Sequence, residues 1–299
     1  MTPPTFPHRA CYQIPLASGG VLDLGSRPMV MGVLNVTPDS FADAHHLFDP
    51  SRAVAAALAL EASGADLVDI GGESTRPGAE PVDADTEIAR VAPVVEALRG
   101  RLRIPMSVDT YKARVADVVL AAGAAMINDI SGLQYEPALA SVVARHRAAL
   151  VLMHTRGRST DMYARATYRD LVGEVVSELK ESLGRATSAG VPLDALLVDP
   201  GVGFAKRPDD SYGVLARLPE ITRALGRPVV VGPSRKSFLK DAAGGADAPG
   251  RDWPTAAAVT AAVLAGAHVV RVHAVAEMVQ VVRAAEEIRK HAASAPDPL

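Results

Sequence analysis

Short apolar runs recur along most of the chain, and Ala-rich stretches with a helical spacing of apolar positions separate them. Runs of about four to eight apolar residues bounded by Gly, Pro or Asp are typical of fully buried β-strands. Eight such runs lie at residues 29–36, 66–72, 104–109, 125–130, 149–154, 195–201, 228–234 and 269–273. The intervening stretches, such as 51–64 and 85–100, predict amphipathic helices. The pattern therefore predicts eight strand–helix units.

A regular alternation of strands and helices favours parallel strand pairing through right-handed crossovers. Eight strand–helix units are the number that closes a TIM barrel. The predicted fold class is therefore α/β, with a single (β/α)8 TIM barrel over residues 29–291. An open, doubly wound sheet is the alternative that the pattern alone leaves.

Two segments fall outside the eight units. Within an N-terminal segment of residues 1–28, residues 11–24 predict two short strands joined by Ser18-Gly19-Gly20. We expect this β-hairpin to cover the bottom of the barrel. Residues 292–299 contain two prolines and predict a disordered tail.

Polar residues stand at the ends of all eight predicted strands. They are Asn35, Asp69 with Glu73, Asp109, Asn128 with Asp129, His154, Asp199, Ser234 with Arg235 and Lys236, and Arg271 with His273. Taken singly, Asp69, Asp129 and His154 are better explained as local caps of the elements that follow. Eight such ends together are hard to explain in that way, and barrel enzymes form their active sites where the strands end. The pattern predicts one polar mouth.

Part of this mouth suits an anion. Arg271 and His273 are two residues apart on a strand, so they share a face and can bind the same anionic group. We expect the segment SRKS at residues 234–237 to open a helix directly after the seventh strand of the barrel. The free backbone N–H groups of such a helix start bind phosphate or carboxylate.

Another part suits a hydrogen-bonding ring. Asp109 and Asp199 only accept hydrogen bonds when ionised, which matches a ligand with adjacent N–H donors. Asn128 and Lys236 add donors for carbonyl and ring-nitrogen acceptors. The mouth therefore predicts a heterocycle attached to an anion such as diphosphate, although residue types alone do not name the heterocycle.

Composition narrows the classes of function. With 31 Lys+Arg against 34 Asp+Glu, the net charge of −3 argues against a nucleic-acid partner. The N-terminus lacks the apolar region of a signal peptide, and the Ala-rich stretch 255–270 is too short to span a bilayer. We therefore expect no membrane partner and a cytoplasmic location. No Ser-His-Asp set, Cys nucleophile or thiol-rich metal site is apparent, so acyl transfer and zinc hydrolysis rank low.

The strand ends also carry segments that resemble, in the same order, those of the dihydropteroate synthase family. They are MGVLNVTPDSF, DIGGESTRPGA, VDTYK, INDISG, LMH, DPGVGFAK, GPSRKSF and RVH. The resemblance implies a barrel transferase of folate biosynthesis that joins 6-hydroxymethyl-7,8-dihydropterin diphosphate to 4-aminobenzoate and releases pyrophosphate. It also implies Mg²⁺ as cofactor, a homodimer, and competition between sulfonamides and 4-aminobenzoate.

The resemblance further implies a role for each matched position. Diphosphate would be bound by Asn35, Arg271 and His273, with Asn35 also on the metal side. The pterin would be bound by Thr75, Asp109, Asn128, Asp199 and Lys236. The 4-aminobenzoate site would be built by Pro38, Asp39, Ser40, Phe41, Arg76, Phe204 and Ser234. The catalytic set would be Asn35, Asp109, Lys236, Arg271 and His273.

The chain departs from the usual family pattern at three places. Residues 42–49 are ADAHHLFD where a Ser-Asp-Gly-Gly run is common, and LMHTRG replaces the frequent LMHMQG. Ala274 stands where Asp is usual. Since strand residues alternate, Ala274 is expected to face the helices, where an Asp would cap the last helix rather than touch diphosphate.

Two other functions stay open at this point. A pterin-binding methyltransferase of the methyltetrahydrofolate–corrinoid type would also be a barrel, but it would not need the SRKS and RVH anion sites. A catalytically silent paralogue would only bind a pterin or a protein partner. Intact Asn35, Arg271 and His273 argue against that second alternative, whereas the altered first loop keeps it open.

Overall fold

The structure, a computed structural model, describes residues 6–37, 49–75 and 78–293. Strands β1 (Tyr12–Pro15) and β2 (Val21–Leu24) pair as an antiparallel hairpin. Eight further strands pair in parallel, namely β3 (Met29–Asn35), β4 (Leu67–Gly71), β5 (Met106–Asp109), β6 (Met126–Asp129), β7 (Ala149–Met153), β8 (Leu196–Asp199), β9 (Val230–Val231) and β10 (Val269–Val272).

The parallel sheet closes on itself. Its strand order is β8-β7-β6-β5-β4-β3-β10-β9. The two end strands are joined by a parallel bridge between Val198 and Val229, and the N–H of Val198 donates to the Pro228 carbonyl at 3.0 Å. The predicted TIM barrel is therefore confirmed, and the open doubly wound sheet is excluded.

Helices surround the barrel. Those in the described ranges are α1 (Pro50–Ala62), α2 (Ala84–Leu98), α3 (Ala113–Ala122), α4 (Ala138–His146), α5 (Leu171–Ser188), α6 (Pro208–Ala216), α7 (Leu218–Leu225), α8 (Asp252–Leu264) and α9 (Val275–Ala293). Asp49, Asp83 and Asp170 cap α1, α2 and α5 by accepting from backbone N–H groups of the first turn. None of the described helices has the length and apolar character of a membrane span.

Two sequence expectations need correction. The SRKS segment does not open an α-helix, because it leads into a short 3-10 turn at Ser237–Leu239 and α8 starts only at Asp252. Arg235 adopts a left-handed backbone (φ 60°) and its guanidinium pairs with Asp252 at 2.7 Å, so the chain turns away instead of coiling. At the other end, α9 continues to Ala293, two residues past the predicted boundary, and residues 294–299 of the expected tail lie outside the described ranges.

The hairpin covers the bottom of the barrel, as predicted. Ile14, Leu22 and Leu24 pack against inward-facing side chains of the strands, including Met31 and Leu67. Burying a side chain of this size contributes roughly 1.5–3 kcal/mol. The outward-facing side chains of the same strands form a second, larger apolar cluster with the helices. The lower barrel is thus packed on both faces, and the upper interior is left for polar groups.

Candidate active site

Strand alternation carries the polar residues into the barrel mouth. On β8, Leu197 and Asp199 share the inner face, and on β10, Val269 and Arg271 do the same. Leu197 and Val269 belong to the apolar cluster at the bottom, so Asp199 and Arg271 stand one layer above it. The strand ends therefore converge on one site, as the sequence predicts.

Arg271 lies at the centre of the mouth, held between two carboxylates. Its Nε donates to Asp69 Oδ2 at 2.6 Å and its Nη2 to Asp109 Oδ2 at 2.8 Å. The same Asp69 oxygen accepts from Asn128 Nδ2 at 3.0 Å. Two fixed acceptors hold the guanidinium in one orientation, and among the residues that the structure describes none accepts a hydrogen bond from Nη1, so its donors can serve a ligand.

Asp69 is therefore not the local cap that it would be if taken singly. It is fully buried, and its Oδ1 has no hydrogen-bond partner among the residues that the structure describes. A carboxylate in the middle of an otherwise apolar strand was the signal in the sequence, because such a charge is retained only where a partner compensates it. By contrast, Asp129 does cap a turn, accepting from the backbone N–H groups of Ser131 and Leu133.

The central charges influence one another strongly. Burial raises the pKa of Asp109 to about 7, against the lowering effect of the Arg271 cation, and the Asp69 carboxylate raises it further. Burial acts to lower the pKa of Arg271, but Asp69 and Asp109 outweigh it and hold that pKa above its usual value. Near neutral pH, Asp109 changes charge whereas Arg271 stays a cation.

Asp199 and Lys236 place a carboxylate and an ammonium beside this centre, and each charge influences the pKa of the other group. Asp199 Oδ1 accepts from the Gly201 N–H at 2.7 Å, and Oδ2 has no hydrogen-bond donor within the described ranges, so it can accept from a ligand. Lys236 Nζ donates to the Val202 carbonyl at 2.6 Å and lies 4.3 Å from the centre of the Phe204 ring. Burial raises the pKa of Asp199, opposed by Lys236, and burial lowers the pKa of Lys236 to about 8.

His273 and Ser234 contact each other at the rim. Ser234 Oγ lies 2.9 Å from His273 Nδ1 and accepts from the His273 backbone N–H at 3.1 Å. With the Ser234 side chain largely buried, this geometry favours a role in orienting the imidazole. The contact of Ser234 with 4-aminobenzoate stays a prediction.

Thr75 and Phe204 line a cavity of about 200 Å³ beside the mouth, together with Tyr111, Tyr135 and Arg158. Asn35 ends β3 and is partly exposed. The remaining predicted positions, Pro38, Asp39, Ser40, Phe41 and Arg76, lie outside the described residues, as does the altered stretch 42–48.

A network under the loop after β4 was missed by the sequence analysis. Lys112 Nζ bonds Glu73 at 2.5 Å and also bonds the buried Glu87, and the Tyr111 hydroxyl donates to Glu73 at 3.1 Å. These contacts anchor the loop that carries Thr75. The signal was a lysine at the N-cap of α3, where the helix dipole disfavours a cation unless carboxylates hold it.

A closed parallel barrel with fixed carboxylates and cations at its carboxyl end defines the class of (β/α)8-barrel enzymes. A sequence profile of the family described as "Pterin binding enzyme" matches residues 31–273. Dihydropteroate synthase of Synechocystis is 43% identical over 275 residues, which cover 92% of this chain and 95% of that protein. The chain belongs to the pterin-binding enzymes and, within them, to the dihydropteroate synthase family of transferases.

Solved structures agree with this assignment. Xanthomonas albilineans dihydropteroate synthase with 4-aminobenzoic acid superposes with a TM-score of 0.86 at 41% identity, over 94% of this chain and 99% of that chain. The same enzyme in complex with 7,8-dihydropteroate superposes with a TM-score of 0.79 at 39% identity, over 88% and 94%.

Proposed function

We propose that the mouth joins 6-hydroxymethyl-7,8-dihydropterin diphosphate to 4-aminobenzoate, forming 7,8-dihydropteroate and pyrophosphate. The observation that carries this proposal is the Arg271 cation, fixed by Asp69 and Asp109 near Asp199, whose Oδ2 accepts no hydrogen bond from the described part of the chain. The Arg271 guanidinium suits the anionic diphosphate, and the Asp199 carboxylate suits the N–H donors of the ring. The complexes of the Xanthomonas enzyme with 4-aminobenzoic acid and with 7,8-dihydropteroate support the substrate and product.

The pterin would lie across the strand ends. Asp199 Oδ2 would accept from adjacent N–H donors of the ring, which only an acceptor can satisfy. Asn128 Nδ2 donates one of its two hydrogens to Asp69, so its second N–H and its amide oxygen can serve an acceptor and a donor of the ring. Lys236 keeps donors for the ring carbonyl or nitrogen after its bond to Val202.

In the reaction, the bond between the exocyclic methylene carbon and the diphosphate oxygen breaks, and a carbon–nitrogen bond to the arylamine forms. The amine nitrogen then loses a proton. A neutral arylamine is already nucleophilic, so departure of the diphosphate is the demanding step. We propose a dissociative displacement in which Arg271 and His273 stabilise the charge that develops on the leaving group.

The residues fit a magnesium ion held mainly by substrate. Mg²⁺ is commonly bound by one or two protein oxygens together with substrate phosphates, and the Asn35 amide offers such an oxygen at the end of β3. Within residues 6–37, 49–75 and 78–293, no three His, Cys, Asp or Glu side chains come together as a protein-only metal site. When bound, the ion would neutralise charge on the leaving diphosphate. The proposal also includes a homodimer, which the family resemblance implies, and a cytoplasmic location, which the sequence leads us to expect.

Turnover with both substrates tests the function. Purified protein with Mg²⁺ should release one pyrophosphate for each dihydropteroate formed, and omission of either substrate should stop both products. Pterin binding without turnover would favour the silent paralogue, and methyl transfer from methyltetrahydrofolate would favour the corrinoid-type alternative. Excess chelator should abolish turnover, and undiminished turnover would contradict the role of Mg²⁺.

A further inference from the structure

The loop of residues 200–206, between β8 and α6, lies between two lysines. On the side of the mouth, the Val202 carbonyl accepts from Lys236 at 2.6 Å. On the opposite side, Lys206 Nζ donates to the carbonyls of Gly201 and Phe204, each at 3.2 Å. The loop thus links a site lysine to a lysine that does not reach the mouth.

Lys206 is only 1% exposed, and it is one of the largest fully buried side chains in the described part of the chain. Its third acceptor is His154 Nδ1 at 2.8 Å, so all three N–H donors of the ammonium are used. Because Nδ1 accepts, the imidazole proton lies on Nε2, which is 3.1 Å from Glu178 Oε2. Burial acts to lower the pKa of Lys206, and the nearby Asp199 carboxylate opposes this effect and favours the ammonium.

The loop has a backbone that needs such support. Ala205 adopts a left-handed conformation (φ 47°), which a non-glycine residue rarely takes unless its surroundings impose it. Its carbonyl accepts from the Tyr168 hydroxyl at 2.8 Å. At Gly203 (φ 78°), a Cβ would lie 2.8 Å from Lys236 Cδ, so the loop passes directly against the site lysine.

We infer that Lys206 is a positioning residue: its buried ammonium holds the 200–206 loop in shape and thereby sets the Phe204 ring and the Val202 carbonyl that receives Lys236. Lys206 itself touches no substrate. The inference rests on the proposed function, in which Phe204 belongs to the 4-aminobenzoate side of the site. Asp109 and Asn128 stand on strands β5 and β6, so the loop does not set them.

Amide hydrogen exchange tests the positioning without any turnover. In Lys206→Met, the amides of residues 201–205 should exchange at least about tenfold faster than in the wild type, while those of residues 126–129 are unchanged. Lys180→Met, on the exposed face of α5, is the matched control and should change neither segment. Unaltered exchange of residues 201–205 in Lys206→Met would overturn the inference.

Steady-state kinetics separate positioning from a general loss of folded enzyme. In Lys206→Met, the KM for 4-aminobenzoate should rise about tenfold, and the KM for the pterin diphosphate should rise by a clearly smaller factor, because Lys236 and Asp199 contact the loop whereas Asp109 and Asn128 do not. A smaller folded fraction would lower the apparent kcat and leave both KM values as they were. Unchanged KM for 4-aminobenzoate, or an equal rise in both KM values, would contradict the inference.

If Lys206→Met does not fold, two substitutions of His154 decide the matter. His154→Phe removes the third acceptor of Lys206, whereas His154→Gln keeps an oxygen that can accept. The Phe variant should raise the KM for 4-aminobenzoate and speed exchange of the loop, and the Gln variant should restore both; identical behaviour of the two would count against the inference. A wild type without turnover would refute the proposed function, while the exchange measurement would still decide the role of Lys206.

Discussion

The two ends of the barrel interior are built from the same strands and the same inward faces, yet they hold opposite kinds of side chain. On β8, Leu197 lies below Asp199, and on β10, Val269 lies below Arg271. The apolar side chains of the lower layer pack against the hairpin, whereas the upper layer carries buried charges. The comparison shows that the same strands contribute packing stability at the bottom of the barrel and ligand binding at its mouth.

The charged layer is stabilised by pairings among its own side chains and by hydrogen bonds to the backbone. A buried charge without a partner costs several kcal/mol, and removal of one partner of a buried pair costs about 3–5 kcal/mol. Arg271 is the shared partner of Asp69 and Asp109. We therefore expect that loss of a charged group will impair the mouth. Loss of side-chain volume should instead destabilise the packed bottom of the barrel.

The largest effect is expected from Arg271→Met. This change removes the cation beside the leaving group and leaves two carboxylates facing each other, so kcat/KM should fall by about 10³ or more. Turnover assays measure the loss, and Arg283→Met on the exposed side of α9 is the control. Activity within tenfold of the wild type would show that Arg271 does not serve the diphosphate.

A large effect on stability, without one on chemistry, is expected from Leu197→Ala. The side chain is fully buried at the bottom of the barrel, and truncation of a buried leucine to alanine costs about 2–5 kcal/mol. Urea unfolding should show this loss while kcat/KM stays within about threefold. A tenfold fall in kcat/KM of the folded variant would mean that the two layers are not separate.

A smaller effect is expected from pH, with a maximum of kcat/KM for the pterin diphosphate between about 7 and 8. As pH falls through about 7, Asp109 gains a proton, because burial raises its pKa, and one carboxylate partner of Arg271 is lost. As pH rises through about 8, Lys236 loses its ammonium, because burial lowers its pKa. On the acid and the alkaline side of the maximum, the fall in kcat/KM should approach about tenfold per pH unit.

Lys236→Arg tests the assignment of the alkaline limb. Arginine stays charged well above pH 9, so this limb should move out of the measured range even if the rate falls. The acid limb should stay where it is. An unchanged alkaline limb in the variant would assign it to another group.

The smallest effect is expected from Ala274→Asp. Ala274 directly precedes α9, and its carbonyl accepts from the Met278 N–H at 3.0 Å, as at a helix N-cap. An aspartate there should add about 1 kcal/mol of stability and leave kcat/KM within about threefold. Thermal unfolding measures the stability and turnover assays measure kcat/KM. A tenfold gain in kcat/KM would place the carboxylate of the introduced aspartate in the active site instead.

The periodicity of apolar positions along the chain was sufficient to predict much of the fold. The eight apolar runs and the parity of residues within them predict the barrel, the hairpin and the inward direction of Asp109, Asn128, Asp199 and Arg271. These features follow from local repeats of two and 3.6 residues, which a single sequence displays.

Other features depend on contacts between distant segments, which periodicity does not contain. The left-handed Arg235 and its pairing with Asp252 replaced the expected helix at SRKS. No role was predicted for Lys206 from the sequence, and its burial against His154 appears only when β7 and the loop after β8 are brought together. Asp69 is a similar case, since its partners come from β6 and β10.

The division between the two layers is tested most directly by calorimetric titration of the dihydropterin diphosphate into Asp199→Ala and Leu197→Ala. The two residues share one strand and one face, and both variants truncate to the same side chain. The loss of Asp199 leaves ring donors unpaired at about 1–3 kcal/mol or more, so its affinity should fall by at least about tenfold. Leu197→Ala should bind within about threefold of the wild type in spite of its lower stability. Unchanged affinity in Asp199→Ala, or an equal loss in both variants, would contradict the assignment of pterin binding to the mouth.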